Sequence, residues 1–148
     1  MPQILMEPGR SIVADAGMTV YTVCNVKRIP GFKNYVIVDG GMSDNPRYCL
    51  YRAQYTVLPV SEGSGQKETY DLAGRCCESG DIIQPAVRLP AEISRGDLVA
   101  VCTTGAYNYS MASNYNRVPK PAMIMVSGGR SRLVIRAQTF EDMIACEL

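Results

Sequence analysis

Four stretches of the chain gather residues able to do chemistry: EPGRSIVADAG (7–17), VDGGMSDNPRYCLY (38–51), GRCCESGD (74–81) and GAYNYSMASNYN (105–116). Each sets charged or hydroxyl-bearing side chains and glycines at the ends of apolar runs, where a packed core has no use for them. The sequence contains no histidine, so no Ser-His or Cys-His nucleophilic pair can form within it. Chemistry then falls to Cys, Tyr, Glu, Asp, Lys or Arg. A thiol, with an unperturbed pKa of about 8.5, can serve as a general acid once its neighbours tune it. An arginine offers a planar fork that matches phosphate or carboxylate, and a tyrosine can donate or accept a hydrogen bond. Taken singly, each stretch also has a plain structural explanation: Asp-Gly-Gly makes turns, tyrosine-rich loops pack, and cysteines behave as small buried hydrophobes.

The elements that must position these stretches read as strands. MTVYTVCNVKRI, NYVIVDGG, YRAQYTVLPV, KETYDLAG, DLVAVCTT, PAMIMVSGG and RLVIRAQT are short, β-branched or aromatic, and bounded by Gly, Pro or Asp. TVYTVCNVK mixes alternation with continuous β-branching, and LVAVC and MIMV are continuous apolar runs, a pattern that predicts burial on both faces. A sandwich or closed barrel follows. SEGSGQKE has the composition of a hairpin loop, and Arg95-Gly96-Asp97 reads as a tight turn into LVAVC rather than as an adhesion signal. Near the end, Thr139 followed three residues later by Asp142 resembles a capping box and predicts one short terminal helix.

Length and composition narrow the functional classes. At 148 residues the chain suits one domain. Fifteen basic residues stand against fourteen acidic ones without a like-charge block, which argues against nucleic acid or a membrane surface as partner. No apolar stretch approaches the roughly eighteen residues of a membrane span, and MPQILMEPGR lacks the features of a secretory signal, so a soluble protein of the cytoplasm is expected. The six cysteines read as thiols; without a CxxC pair or any histidine, no metal site is expected.

Together, in this order and spacing, the four stretches resemble the C-terminal half of the diaminopimelate decarboxylases, within the wider family of ornithine, diaminopimelate and arginine decarboxylases. CESGD and GAYNYSMASNYN carry the resemblance most specifically. It implies an all-β domain, a Greek-key sandwich or barrel of the alanine racemase C-terminal type, over residues 13–148. Residues 1–12 would be the end of an N-terminal (β/α)8 barrel that binds pyridoxal 5'-phosphate (PLP). The family completes each active site across a homodimer interface. No lysine here matches the family's Schiff-base lysine, so this polypeptide alone is expected to be inactive, with EPGR displaced or disordered.

The resemblance also assigns roles. Glu7 would face the cofactor's ring nitrogen and keep the ring protonated. Gly9 would let backbone amides approach the cofactor phosphate, and Arg10 would bind cofactor and substrate. Arg47, Tyr51 and Glu78 would hold the distal amino and carboxylate groups of the amino-acid substrate. Cys77 would donate the proton after carbon dioxide leaves, with its neighbour Cys76 structural. Adjacent side chains of an extended segment point to opposite sides, so only one of the two thiols can face a pocket. Tyr107 would reach both cofactor phosphate and substrate, while Tyr109 and Tyr115 would pack. Two alternatives stand beside diaminopimelate: ornithine, arginine or carboxynorspermidine decarboxylation, against which Glu78 argues because ornithine-type enzymes favour aspartate there, and a non-catalytic β-domain that only dimerises.

Overall fold

A computed structural model describes residues 2–63 and 65–148. Six strands, β1 (Met18–Arg28), β2 (Asn34–Val38), β3 (Val57–Pro59), β4 (Lys67–Ala73), β5 (Ile82–Pro90) and β6 (Leu98–Cys102), form one sheet in the order β3-β6-β1-β2-β4-β5. Neighbours run antiparallel except β2 and β4, which are parallel. The edge strands β3 and β5 lie in contact, so the sheet curls into a nearly closed barrel. Alternate side chains fill it, as the two-residue period of a strand dictates. Tyr21 and Val23, Val36 and Val38, Tyr70 and Leu72, Ile83 and Leu89, and Val99 and Val101 are all buried in one cluster. The all-β expectation holds. The helix α3 (Phe140–Ile144) ends the chain with the anticipated capping box between Thr139 and Asp142.

Several local expectations need correction. β5 was not anticipated, because Pro85 and Pro90 interrupt its sequence; it is accommodated as an edge strand, with an irregular register opposite Leu72 and a left-handed backbone at Ala86. YRAQYTVLPV is mostly not strand: its first residue closes the helix α2 (Arg47–Tyr51), and Arg52 stops that helix in a left-handed conformation. SEGSGQKE is no hairpin, since the flanking β3 and β4 are not neighbours in the sheet; its Ser64 lies outside the described residues. β1 buries one face, through Tyr21 and Val23, and leaves Val20 and Cys24 exposed. LVAVC is buried through its centre, but MIMV is not. It forms β7 (Met123–Ser127), paired only with β8 (Arg130–Ile135) in a separate hairpin whose Ile124 and Val126 are 61% and 71% exposed. A two-stranded ribbon has no second layer of its own to cover it.

The buried Tyr21 hydroxyl donates to Asp44, whose other oxygen accepts the Gly41 N–H at 2.8 Å. Burial pushes the Asp44 carboxyl up, opposed by these donors. This pair fastens the loop after β2 to the barrel core. Tyr21→Phe should therefore destabilise the fold by about 1.5–3 kcal/mol, the usual worth of a hydrogen bond to a charged group, measured as a shift in the urea midpoint at unchanged slope.

Candidate active site

The chemistry-bearing loops all leave one or another strand of the barrel. The helix α1 (Arg10–Val13) and a 3-10 turn over Ala14–Ala16 precede β1, and the Gly105 N–H donates to the Ala14 carbonyl at 2.9 Å, joining the first and fourth stretches. The Ser113 N–H donates to the Ser43 carbonyl at 2.8 Å, joining the fourth to the second. Residues 2–9 carry no regular structure and are exposed, yet EPGR is not detached. A Cβ on Gly9 would stand 2.6 Å from the Tyr107 Oη, so any other residue there would have to displace that phenol.

Tyr107 is the centre of one cluster. Its φ of 65° lies in the left-handed region that a bulky residue avoids, and such strain is characteristic of functional positions. The Arg47 guanidinium lies 5.7 Å from the Tyr107 ring centre and 5.4 Å from that of Tyr51. Arg10 lies 6.0 Å from the Tyr55 ring centre, and the Tyr55 hydroxyl donates at 3.5 Å to Asn108, next to Tyr107. Arg10 and Arg47 belong to no ion pair among the described residues. Arg10 Nη1 and Arg47 Nε are both buried without a hydrogen-bond partner. Two guanidiniums with unspent donors, held against aromatic rings and beside a glycine backbone, suit phosphate or carboxylate. This donor set fits the phosphate end of PLP.

The loop of Cys77 and Glu78 approaches α2 through Gly80, where an added Cβ would lie 3.3 Å from the Cys49 Sγ. No hydrogen bond, ion pair or ring contact joins either to Arg10, Arg47, Tyr51 or Tyr107 among the described residues, and Glu7 is exposed in the N-terminal segment. Their loop is a series of bends rather than a strand, so strand alternation does not separate the two thiols. Their surroundings do: Cys77 is exposed, whereas Cys76 is partly covered, with its thiol pushed up by burial and by the Asp81 charge. Glu78 accepts from the Gly80 N–H at 3.3 Å, the Ser79 hydroxyl at 3.1 Å and the Tyr115 hydroxyl at 3.3 Å, and these donors hold its carboxyl below the usual range.

Residues 11–105 match the family described as "Pyridoxal-dependent decarboxylase, C-terminal sheet domain". The chain belongs to this family. Over its whole length the chain is 49% identical to the diaminopimelate decarboxylase of Bacillus subtilis (strain 168), and over 97% of its length it is 47% identical to that of Staphylococcus aureus (strain COL). It spans 34% of each relative, about a third of their length. The M. jannaschii diaminopimelate decarboxylase solved in co-complex with L-lysine superposes on all of this chain and on 33% of its own, with a TM-score of 0.90 at 34% identity.

Tyr115 was expected to pack; instead it is 43% exposed and reaches Glu78. Nothing in the run of tyrosines singles it out. Asn116, with a φ of 53°, turns the chain immediately after it. Because the phenol donates to the charged form of Glu78, Tyr115→Phe should raise the Glu78 carboxyl toward its ordinary value. The check is a carbon-13 titration of the side-chain carboxyl, and an unmoved midpoint would separate Tyr115 from the site.

Proposed function

We propose that this chain is the C-terminal domain of a PLP-dependent decarboxylase that converts meso-2,6-diaminopimelate to L-lysine and carbon dioxide. The observation that carries the reading is the pair of unpaired guanidiniums, Arg10 and Arg47, gathered at the Tyr107–Asn108 corner. When bound, PLP supplies a protonated ring that draws electrons from the scissile bond. Gly9, Arg10 and Tyr107 would hold its phosphate end, and Glu7 would keep the ring nitrogen protonated. Arg47, Tyr51 and Glu78 grip the far end of the substrate, where an amino group needs a carboxylate and a carboxylate needs an arginine. Binding there orients the scissile group. Cys77 delivers a proton to the carbon from which carbon dioxide has left, as an exposed thiol can do.

The reading includes a homodimer in which each subunit lends one group of residues to its partner's site. Residues 1–12 belong, on this reading, with the PLP-binding barrel, and residues 13–148 with the sheet domain. None of Lys27, Lys33, Lys67 and Lys120 makes a hydrogen bond or ring contact to the Tyr107 cluster among the described residues, and Lys33 is bound to Asp71. This supports the view that the chain alone does not turn over. The enzyme works in the cytoplasm; among the described residues no helix is long and apolar enough to cross a membrane. Ornithine, arginine and carboxynorspermidine are disfavoured by Glu78. The exposed β7–β8 hairpin is the one observation that favours a purely associating domain.

The test combines this chain with a separately made barrel portion and PLP, and follows product from meso-diaminopimelate, ornithine and arginine in parallel. Lysine should form from diaminopimelate, and Cys77→Ala should reduce its rate by about 10²–10⁴-fold, the usual contribution of a positioned acid. Two folded, associated halves that act on none of the three substrates would leave the non-catalytic reading standing.

A further inference from the structure

Asp81 is buried and has none of the roles assigned above. Its carboxylate is in none of the ion pairs among the described residues. It accepts instead from two backbone amides far apart in sequence, the Met42 N–H on Oδ1 and the Cys76 N–H on Oδ2, both at 2.6 Å. Met42 lies in the loop that runs into α2, which carries Arg47 and Tyr51; Cys76 precedes Cys77 and Glu78. One side chain therefore spans the two loops that present the proposed substrate grip and the proposed proton donor.

The surroundings are shaped to that carboxylate. Gly41, with a φ of 158°, and Gly74 flank it, and a Cβ on either would run into the Asp81 oxygens. The backbone closes the same junction: the Gly74 N–H donates to the Asp81 carbonyl at 2.9 Å, and the Arg75 N–H to the Gly40 carbonyl at 3.0 Å. A carboxylate is the side chain that can accept from two N–H groups at once. The isosteric amide offers one oxygen and one NH2, and the NH2 would face a donor.

We propose that Asp81 is a positioning residue that fixes the Cys77–Glu78 loop against the loop leading into α2, and so sets how that loop presents the proton donor and Glu78 to the site they serve. This rests on the decarboxylase reading for its catalytic consequence, though not for the clamp itself. Asp81 touches neither substrate nor cofactor. It acts through Cys76 and Met42, and the charge it brings is also one of the causes that raise the Cys76 thiol, in keeping with the close approach of the two.

The clamp is tested on the unmodified, isotope-labelled chain by through-hydrogen-bond NMR correlations. The Met42 and Cys76 amides should both correlate with the Asp81 carboxyl carbon. Their absence, where correlations along β1 and β6 are seen, overturns the proposal without any variant having to fold. The catalytic consequence is tested with Asp81→Asn in the recombined enzyme. Turnover should fall by about 10- to 100-fold, the scale of a small misplacement of a reacting group, while PLP affinity, set by Gly9, Arg10 and Tyr107, stays at the wild-type value. Wild-type turnover in Asp81→Asn, or an equal loss of PLP affinity and turnover, overturns the positioning role. A wild-type assembly inactive on every diamino acid, with both NMR correlations present, overturns the decarboxylase reading and the catalytic role of Asp81 with it, while the clamp is retained.

Discussion

Buried carboxylates that meet backbone amides rather than cations hold the functional loops of this domain in place. Asp44 and Asp81 are both buried, and neither belongs to an ion pair among the described residues. A buried charge is tolerated only when hydrogen bonds replace the water it has lost. Here the replacement donors are N–H groups of loops, joined at Asp44 by the Tyr21 hydroxyl, so charge and loop backbone satisfy each other. For Asp44 the balance is incomplete, because burial outweighs its donors and leaves the carboxyl raised. Its contribution to stability is thus full below the unfolded carboxyl value and lost as the pH rises through the folded one. Glu78 is the opposite case, exposed and lowered by its donors, and its contribution is present at neutral pH and lost in acid.

The barrel was legible because its signal is local. Alternation or β-branching in β1, β2, β4 and β6 specifies a strand whatever surrounds it, and Thr139 with Asp142 marks a helix start within four residues. β5 was hidden because two prolines argue against a strand and only an edge position with an irregular register admits them. Of the site, the residue types and their grouping into stretches were readable, but which stretches meet was not. That depends on which loop crosses which, and the crossing is set by long-range bonds such as Ser113 to Ser43 and Gly105 to Ala14. Tyr115 illustrates the limit: a tyrosine's sequence neighbours do not say whether its hydroxyl will find a carboxylate 37 residues away.

The hairpin β7–β8 was misread for an instructive reason. The run MIMV satisfies the pattern of a strand covered on both faces, and in this polypeptide it is covered on neither. Pattern reports what a sequence is adapted to bury, not what a given chain succeeds in burying. An apolar ribbon of this kind, with Ile124, Val126 and Leu133 in the open, is a surface suited to meet more protein. That agrees with a chain spanning about a third of its relatives' length. The same reasoning applies to Arg10 and Arg47, whose buried Nη1 and Nε have no hydrogen-bond partner among the described residues and suit an anion.

The two cysteines show how the fold can separate near-identical groups. Adjacent thiols would have been distinguished by alternation had the segment been a strand, but it is a loop, and the distinction has another source. Cys76 gives its N–H to Asp81, which draws it into the junction between two loops and places its thiol near a fixed negative charge in partly covered surroundings. Both effects favour the neutral thiol and restrict its access. Cys77, one residue on, is past the clamp and faces outward beside Glu78, which its own donors keep charged. Anchoring the backbone at the first cysteine leaves the second exposed, as the proposed role of Cys77 in proton delivery requires.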